Sequence, residues 1–212
     1  MIVSKGRSYI FVHIPKTGGT ALSLALEARA MADDILIGDT PKAVKRRAKA
    51  KAWAEGRKLR KHSGLADLDG LIDLTGMFVV TLVRNPWDRM VSYYHWLRTQ
   101  DFDHRAVDLA KAHDFSGFLN HPETVATQTV ESYGGYVSFG GHEVETCFVR
   151  LEVLSKDIAP FEAHLGFKLD IPHVNRSERQ SDWRGYYSDK DAQLVAQMYA
   201  QDIARFGYGF EP

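Results

Sequence analysis

The chain has 212 residues, zero formal net charge and 44% hydrophobic residues. Those are ordinary globular values, which argue against disorder, collagen and coiled coil, and the length suits one domain with a core of its own. A lone cysteine, Cys147, excludes an internal disulfide framework and a cysteine-rich zinc site.

In chain order, the first apolar run is Ser8 to Ile14, rich in strand formers and ended by Pro15. After a glycine pair, Thr20 to Met31 shows helical spacing at Leu22 and Leu26. Ala43 to Lys61 is rich in Ala and Lys and is expected to be helical, with Gly56 interrupting it. Met77 to Val83 reads as a second strand. Asn85 suits the N-cap and Pro86 the first position of the helix that follows, with Asp88 favouring its dipole. Phe115 to Leu119 predicts a short helix before Pro122, and Glu145 to Val153 a third strand. A helix around Ile158 to Leu165 closes at Gly166. Asp189 to Phe206, with Leu194, Val195, Met198, Tyr199, Ile203 and Phe206 in phase, predicts one long helix. Strands alternating with helices imply an α/β fold with a mostly parallel central sheet flanked by helices in three layers.

No apolar stretch approaches the roughly 20 residues of a membrane span, and no signal peptide is evident, so a cytoplasmic location is expected. Between Lys42 and Lys61 ten basic residues face one acid, Glu55, giving this segment +9 and the remainder −9. Such a run either lines a solvated helix face or attracts polyanions.

Between the first strand and its helix lies Pro15-Lys16-Thr17-Gly18-Gly19-Thr20. Backbone N–H groups at a helix N-terminus form an anion site. Glycines admit the main chain to the anion, Lys16 adds charge, and Thr17 and Thr20 add hydroxyls. The segment is a phosphate or sulfate cradle but no Walker A motif, which would need glycines where Ile10 and Pro15 stand. At the end of the second long strand Arg84 offers a planar fork of donors. Ser92, two turns into the next helix, shares a face with Asn85 and Asp88, so Arg84 and Ser92 suit one anion. An Arg84–Asp88 pair with a helix serine is the alternative. An arginine at this strand end, where a magnesium-dependent nucleotide enzyme wants a carboxylate, weakens that reaction class.

Together the segments PKTGGT and VRNPWDRMVS resemble the sulfotransferase family that uses 3′-phosphoadenosine-5′-phosphosulfate (PAPS), most closely its carbohydrate-type branch. The C-terminal NRSERQSDWRGYYSDKDAQLVAQMYAQDIARFGYGF is similar to that branch as well. The resemblance implies a single P-loop-like sulfotransferase domain over residues 1–212. Lys16, Thr17, Gly18, Gly19 and Thr20 would hold the 5′-phosphosulfate, and Arg84 and Ser92 the 3′-phosphate. Arg184 would reach the nucleotide or brace its own loop. The implied reaction moves a sulfuryl group from PAPS to a hydroxyl or amine of a small-molecule or glycan acceptor, without metal and without nucleic acid as partner. Lys16 would neutralise the leaving phosphate.

A hydroxyl acceptor calls for a general base, and histidine is the natural one. Of nine histidines, His62 lies where some carbohydrate sulfotransferases carry their base, with His13 next in line as a strand-end residue. His95, His104, His113, His121 and His142 lack ligand spacing and read as surface or acceptor-side residues. Tyr93, Tyr94, Trp96, Tyr133, Tyr136 and Phe139 either line an acceptor pocket or pack the core. Two other functions stay open at this point, a nucleotide kinase and a non-catalytic polyanion-binding module built on the basic segment.

Overall fold

The computed structural model describes residues 1–172 and 182–211. Its elements run β1 (Ile2–Ser4), β2 (Tyr9–Val12), α1 (Gly19–Ala28), β3 (Ile35–Leu36), α2 (Pro41–Lys45), α3 (Arg47–Trp53), a 3₁₀ turn (Leu65–Leu68), β4 (Phe78–Val83), α4 (Pro86–Arg98), α5 (Arg105–Ala112), α6 (Phe115–Leu119) and α7 (Pro122–Thr129). They continue with α8 (Tyr133–Tyr136), β5 (Ser138–Phe139), β6 (His142–Glu143), β7 (Thr146–Arg150), α9 (Leu154–Asp157), α10 (Ala159–Leu165), a 3₁₀ turn (Trp183–Tyr186), α11 (Asp189–Met198) and α12 (Ala200–Phe206). Contacts divide the chain into two units, one from the described residues of Met1–Val83 and Tyr133–Val174, the other from those of Arg84–Ser132 and Asn175–Pro212.

The first unit is built on a five-stranded sheet of order β3-β1-β2-β4-β7. Its three longest strands, β2, β4 and β7, run parallel, with Val12 opposite Thr81 and Val83 opposite Arg150. β1 pairs antiparallel with β2 and with β3, extending one edge. Strand alternation sends successive side chains to opposite faces, and both faces are covered. Tyr9, Phe11, Val80, Leu82 and Val149 pack against Leu22 and Leu26 of α1 and against Ile158 and Phe161. Ile10, Val12 and Val79 pack on the other side against Leu65, Leu68 and Val137. A strand buried on both faces has to be a continuous apolar run, which is why β2 and β4 were visible in the sequence. Thr81 is the polar residue in β4, and its hydroxyl donates to Val12 O at 2.8 Å. The three-layer α/β expectation therefore holds.

The second unit is helical. Met90, Val91, Tyr94 and Leu97 of α4 pack with Val107, Leu109, Phe115, Phe118, Val195 and Tyr199. Asn85 caps α4, accepting from Trp87 N at 3.1 Å, with Pro86 at the first helical position as expected. The C-terminal segment is tied to the start of α4: Asn85 Nδ2 donates to Gly209 O, Trp87 Nε1 to Ala192 O, and Tyr187 Oη to Trp87 O.

Several boundaries differ from expectation. The helix expected over Ala43 to Lys61 ends at Trp53, because Glu55 and Gly56 both take positive φ (49° and 84°). The long C-terminal helix is two, broken at Tyr199, whose buried ring leaves helical dihedrals and whose hydroxyl donates to Gln128 Oε1 at 2.6 Å. The third strand spans only Thr146–Arg150, with a 3₁₀ turn over Leu151–Val153. β1 and β3 escaped the sequence reading because three and two residues carry no periodic signal. Among the described residues no helix is long and apolar enough to cross a membrane.

Candidate functional site

In parallel sheets, ligands bind where the chain leaves the C-terminal ends of the strands. β2 ends at Val12, and the chain turns through Pro15 and Lys16 into α1. Lys16 takes φ +65°, an uncommon conformation for a side-chain-bearing residue. Thr17 is fully buried, and its hydroxyl donates to Ile14 O at 2.9 Å, closing the turn. That bond corrects one expectation: the Thr17 hydroxyl proton is spent inside the loop, leaving its backbone N–H as the donor it can offer.

Gly18 is the N-cap of α1 at φ +86°, without a side-chain cap, and the first turn of α1 contains no acidic residue. The helix start thus has no side-chain acceptor, although Ala21 N donates to Gly18 O at 3.1 Å, and the dipole end is not offset by a carboxylate. The glycines also answer to packing. A Cβ on Gly18 would stand 2.8 Å from Leu151 Cδ1, and one on Gly19 only 2.3 Å from His13 Cδ2.

Around this turn the first unit gathers Lys61, His62 and His13. Lys61 Nζ donates to Thr20 Oγ1 at 3.3 Å and pairs with Asp39 at 2.9 Å. The sequence reading counted Lys61 only as one charge of the basic run; its place next to His62 was the signal available. His62 Nδ1 lies 2.7 Å from His13 O, and the two rings meet edge to face at 4.8 Å. A carbonyl only accepts, so Nδ1 carries the proton and Nε2 keeps its lone pair. Loss of solvent around the ring, opposed by that hydrogen bond and reinforced by the Lys61 ammonium and the Met1 amino group, pulls the His62 pKa down to about 4. His62 keeps an exposed edge and is neutral at pH 7. Burial holds His13 well below the ordinary histidine pKa, aided by the charges around His62 and Lys16.

In the second unit, Arg84 follows directly on the last residue of β4. Its Nε and Nη2 meet Asp88 Oδ2 at 2.8 and 2.7 Å, the pair weighed above as the alternative. Ser92 lies one turn beyond Asp88 in α4 and is buried. Arg184 forms a fork on its own Asp182, Nε to Oδ1 and Nη2 to Oδ2 both at 2.8 Å.

Four cations of the basic segment are held by nearby carbonyls. Lys42 donates to Glu27 O, Arg46 to Met31 O at 2.6 Å, and Lys49 to Ala32 O, while Arg57 donates to Asp69 O. His104 and His121 accept from Ala106 N and Glu123 N and cap α5 and α7, a role their spacing did not reveal. Of the aromatic residues considered for a pocket, Tyr94 and Tyr133 are buried core, while Trp96 is 37% exposed. His173 and the first seven residues of the C-terminal segment quoted above lie outside the described residues.

A crystal structure of mouse sulfotransferase SULT7A1 complexed with PAP matches this chain with a TM-score of 0.59 at 16% sequence identity, over 96% of this chain and 88% of that one. The likeness establishes the fold, an α/β architecture shared with a sulfotransferase. No family model and no curated protein matches the sequence.

Proposed function

We propose that the chain is a PAPS-dependent sulfotransferase whose two units act as one domain, with an acceptor hydroxyl, or an amine, on a small molecule or glycan. The observation that carries this is the turn after β2. An uncapped helix N-terminus free of acidic residues is flanked by Lys16 and Lys61, with a neutral histidine beside it whose Nε2 bears a lone pair. The PAP bound to the structural neighbour and the sequence resemblance of PKTGGT and VRNPWDRMVS support the same reading.

On this reading the amides of Thr17 to Thr20, with Lys16 and the Thr20 hydroxyl, hold the 5′-phosphosulfate. Arg84 and Ser92 hold the 3′-phosphate. The acceptor oxygen attacks sulfur in line with the departing 5′-phosphate; one S–O bond forms as the other breaks, and His62 Nε2 takes the acceptor proton. Catalysis then rests on positioning and on charge stabilisation, as in phosphoryl transfer. Lys16 offsets the charge that builds on the leaving phosphate.

The test is calorimetry with PAP, followed by incubation of the full chain with ³⁵S-labelled PAPS and a panel of glycans, phenols and alcohols. Wild type should bind PAP and label at least one acceptor class, with Lys16→Ala and His62→Ala losing transfer. Failure of wild type to bind either nucleotide would sink the reading. A kinase would instead bind ATP with magnesium, and a polyanion module would bind heparin regardless of Lys16.

A further inference from the structure

His62 is held by a second histidine whose own position is fixed on every side. The His13 ring is 3% exposed, stacks on Phe11 at 5.7 Å between centroids, and meets His62 edge-on at 4.8 Å. It occupies the space beside Gly19 so closely that a Cβ there would fall 2.3, 2.5 and 2.9 Å from three of its ring atoms. Its Nδ1 is buried with no hydrogen-bond partner among the described residues, so nothing polar ties the ring and it is held by packing alone. Its carbonyl, meanwhile, receives the His62 Nδ1–H.

We propose that His13 is a positioning residue for His62: its carbonyl fixes the proton on Nδ1, and its ring, wedged between Gly19 and His62, holds the Nε2 lone pair in register with the anion-binding turn. The use made of that lone pair rests on the sulfotransferase reading; the coupling itself does not. One compact ring links the residue that the turn needs small to the residue that must keep one tautomer. Without it, a hole opens beside Gly19 into which His62 can rotate, breaking the 2.7 Å bond.

The test is two-bond ¹H–¹⁵N correlation spectroscopy of the ¹⁵N-labelled full chain between pH 4 and 8, with His62 assigned through His62→Gln. The charged or titratable groups facing His62 are His13, Lys61, Asp39 and the Met1 amino group, and all but His13 are unchanged in the variants. Wild type should show one tautomer, protonated on Nδ1 and not titrating above about pH 5. His13→Ala should mix the tautomers and raise the His62 pKa by about one unit, tenfold in proton affinity, while His13→Phe, which keeps a flat ring, stays near wild type. If His13→Ala does not fold, Gly19→Ala, which displaces the ring, should disturb the His62 signals in its place. A wild-type proton on Nε2, or His62 signals indifferent to both His13→Ala and Gly19→Ala, would overturn the proposal. PAP calorimetry on the same samples keeps the two questions apart, since a wild type that ignores PAP but shows the Nδ1–H tautomer refutes the enzyme reading and leaves the coupling standing.

Discussion

Replacing Gly19 by alanine probes the turn without any assumption about its ligand. In an ordinary helix the exchange stabilises by about 0.5–1 kcal/mol, because glycine loses more backbone freedom on folding. Here the added carbon would overlap three atoms of the His13 ring, and that ring is enclosed by Phe11 and His62 and is almost wholly buried. Overpacking costs about 1–3 kcal/mol; with three ring atoms inside 3.0 Å of the added carbon this site belongs in the upper half of that range, so the clash outweighs the propensity gain and the net loss is about 1–2.5 kcal/mol. For a chain of this length that lowers Tm by roughly 2–10 °C. Thermal and urea unfolding followed by circular dichroism would measure it, with Gly38→Ala as the control, since a Cβ at Gly38 meets nothing closer than Ala43 Cβ at 3.9 Å. The double variant His13→Ala with Gly19→Ala should be more stable than the sum of its parts by about 1 kcal/mol or more, because the clash disappears with the ring. A higher Tm for Gly19→Ala, or strict additivity in the double variant, would refute the wedge.

Acid should weaken the fold well before the carboxylates are protonated. The pKa values of His13 and His62 are depressed in the folded chain, so their neutral forms contribute stability that is present above about pH 6.5 and is lost as pH falls toward 4. The Met1 amino group, pushed down to about 5 by burial, acts in the same direction starting near pH 8. Urea midpoints should therefore fall from pH 7 to 5.5 to 4.5, and a flat profile would contradict the burial of His13 and the Met1 amino group, His62 being exposed and contributing less. In the second unit, Asp191 is 2% exposed and accepts from Ser116 Oγ, Asn120 Nδ2 and Ser188 Oγ at 3.0, 2.6 and 2.8 Å. Asp191→Ala removes the return half of the capping box that Ser188 begins at α11 and strands three donors, a loss of about 2–4 kcal/mol readable in the same urea series. Under the proposed function, Arg84→Ala should weaken PAP by about 10- to 100-fold, the worth of a charge-assisted contact. Adenosine 5′-phosphosulfate, which lacks the 3′-phosphate, should be unaffected, and equal losses for both nucleotides would remove Arg84 from that role.

What the sequence made legible is local in the chain. The apolar runs of β2 and β4, the cap at Asn85-Pro86, the short α6 and the left-handed stop at Gly166 each depend on residues within a few positions of one another, and each was found. The glycine turn was legible for the same reason. Lys61 reaches Thr20 across 41 positions and His62 reaches His13 across 49, and no periodicity encodes either meeting. The break at Tyr199 belongs with these, since apolar spacing continues unbroken through it, while its hydroxyl is bonded to Gln128, 71 residues away.

The basic segment and the glycine turn looked like two unrelated motifs, and α1 joins them. A helix presents partial positive charge at its first amides and partial negative charge at its last carbonyls. Lys42 donates to the last-turn carbonyl of Glu27, while Arg46 and Lys49 donate to the turn that follows α1, so the carbonyl end is met by cations. The amide end has neither a side-chain cap nor an acid, and Lys16 and Lys61 stand beside it. One end of the helix is met by cations of its own chain, and under the proposed function the other would take the anion of the nucleotide. Part of the +9 carried by this segment is thus engaged with carbonyls of its own chain, which holds those cations in place. Replacing Lys42, Arg46 and Lys49 together by glutamine should accordingly lower the unfolding midpoint while leaving retention on a heparin column unchanged. Retention that falls while stability holds would restore the polyanion reading.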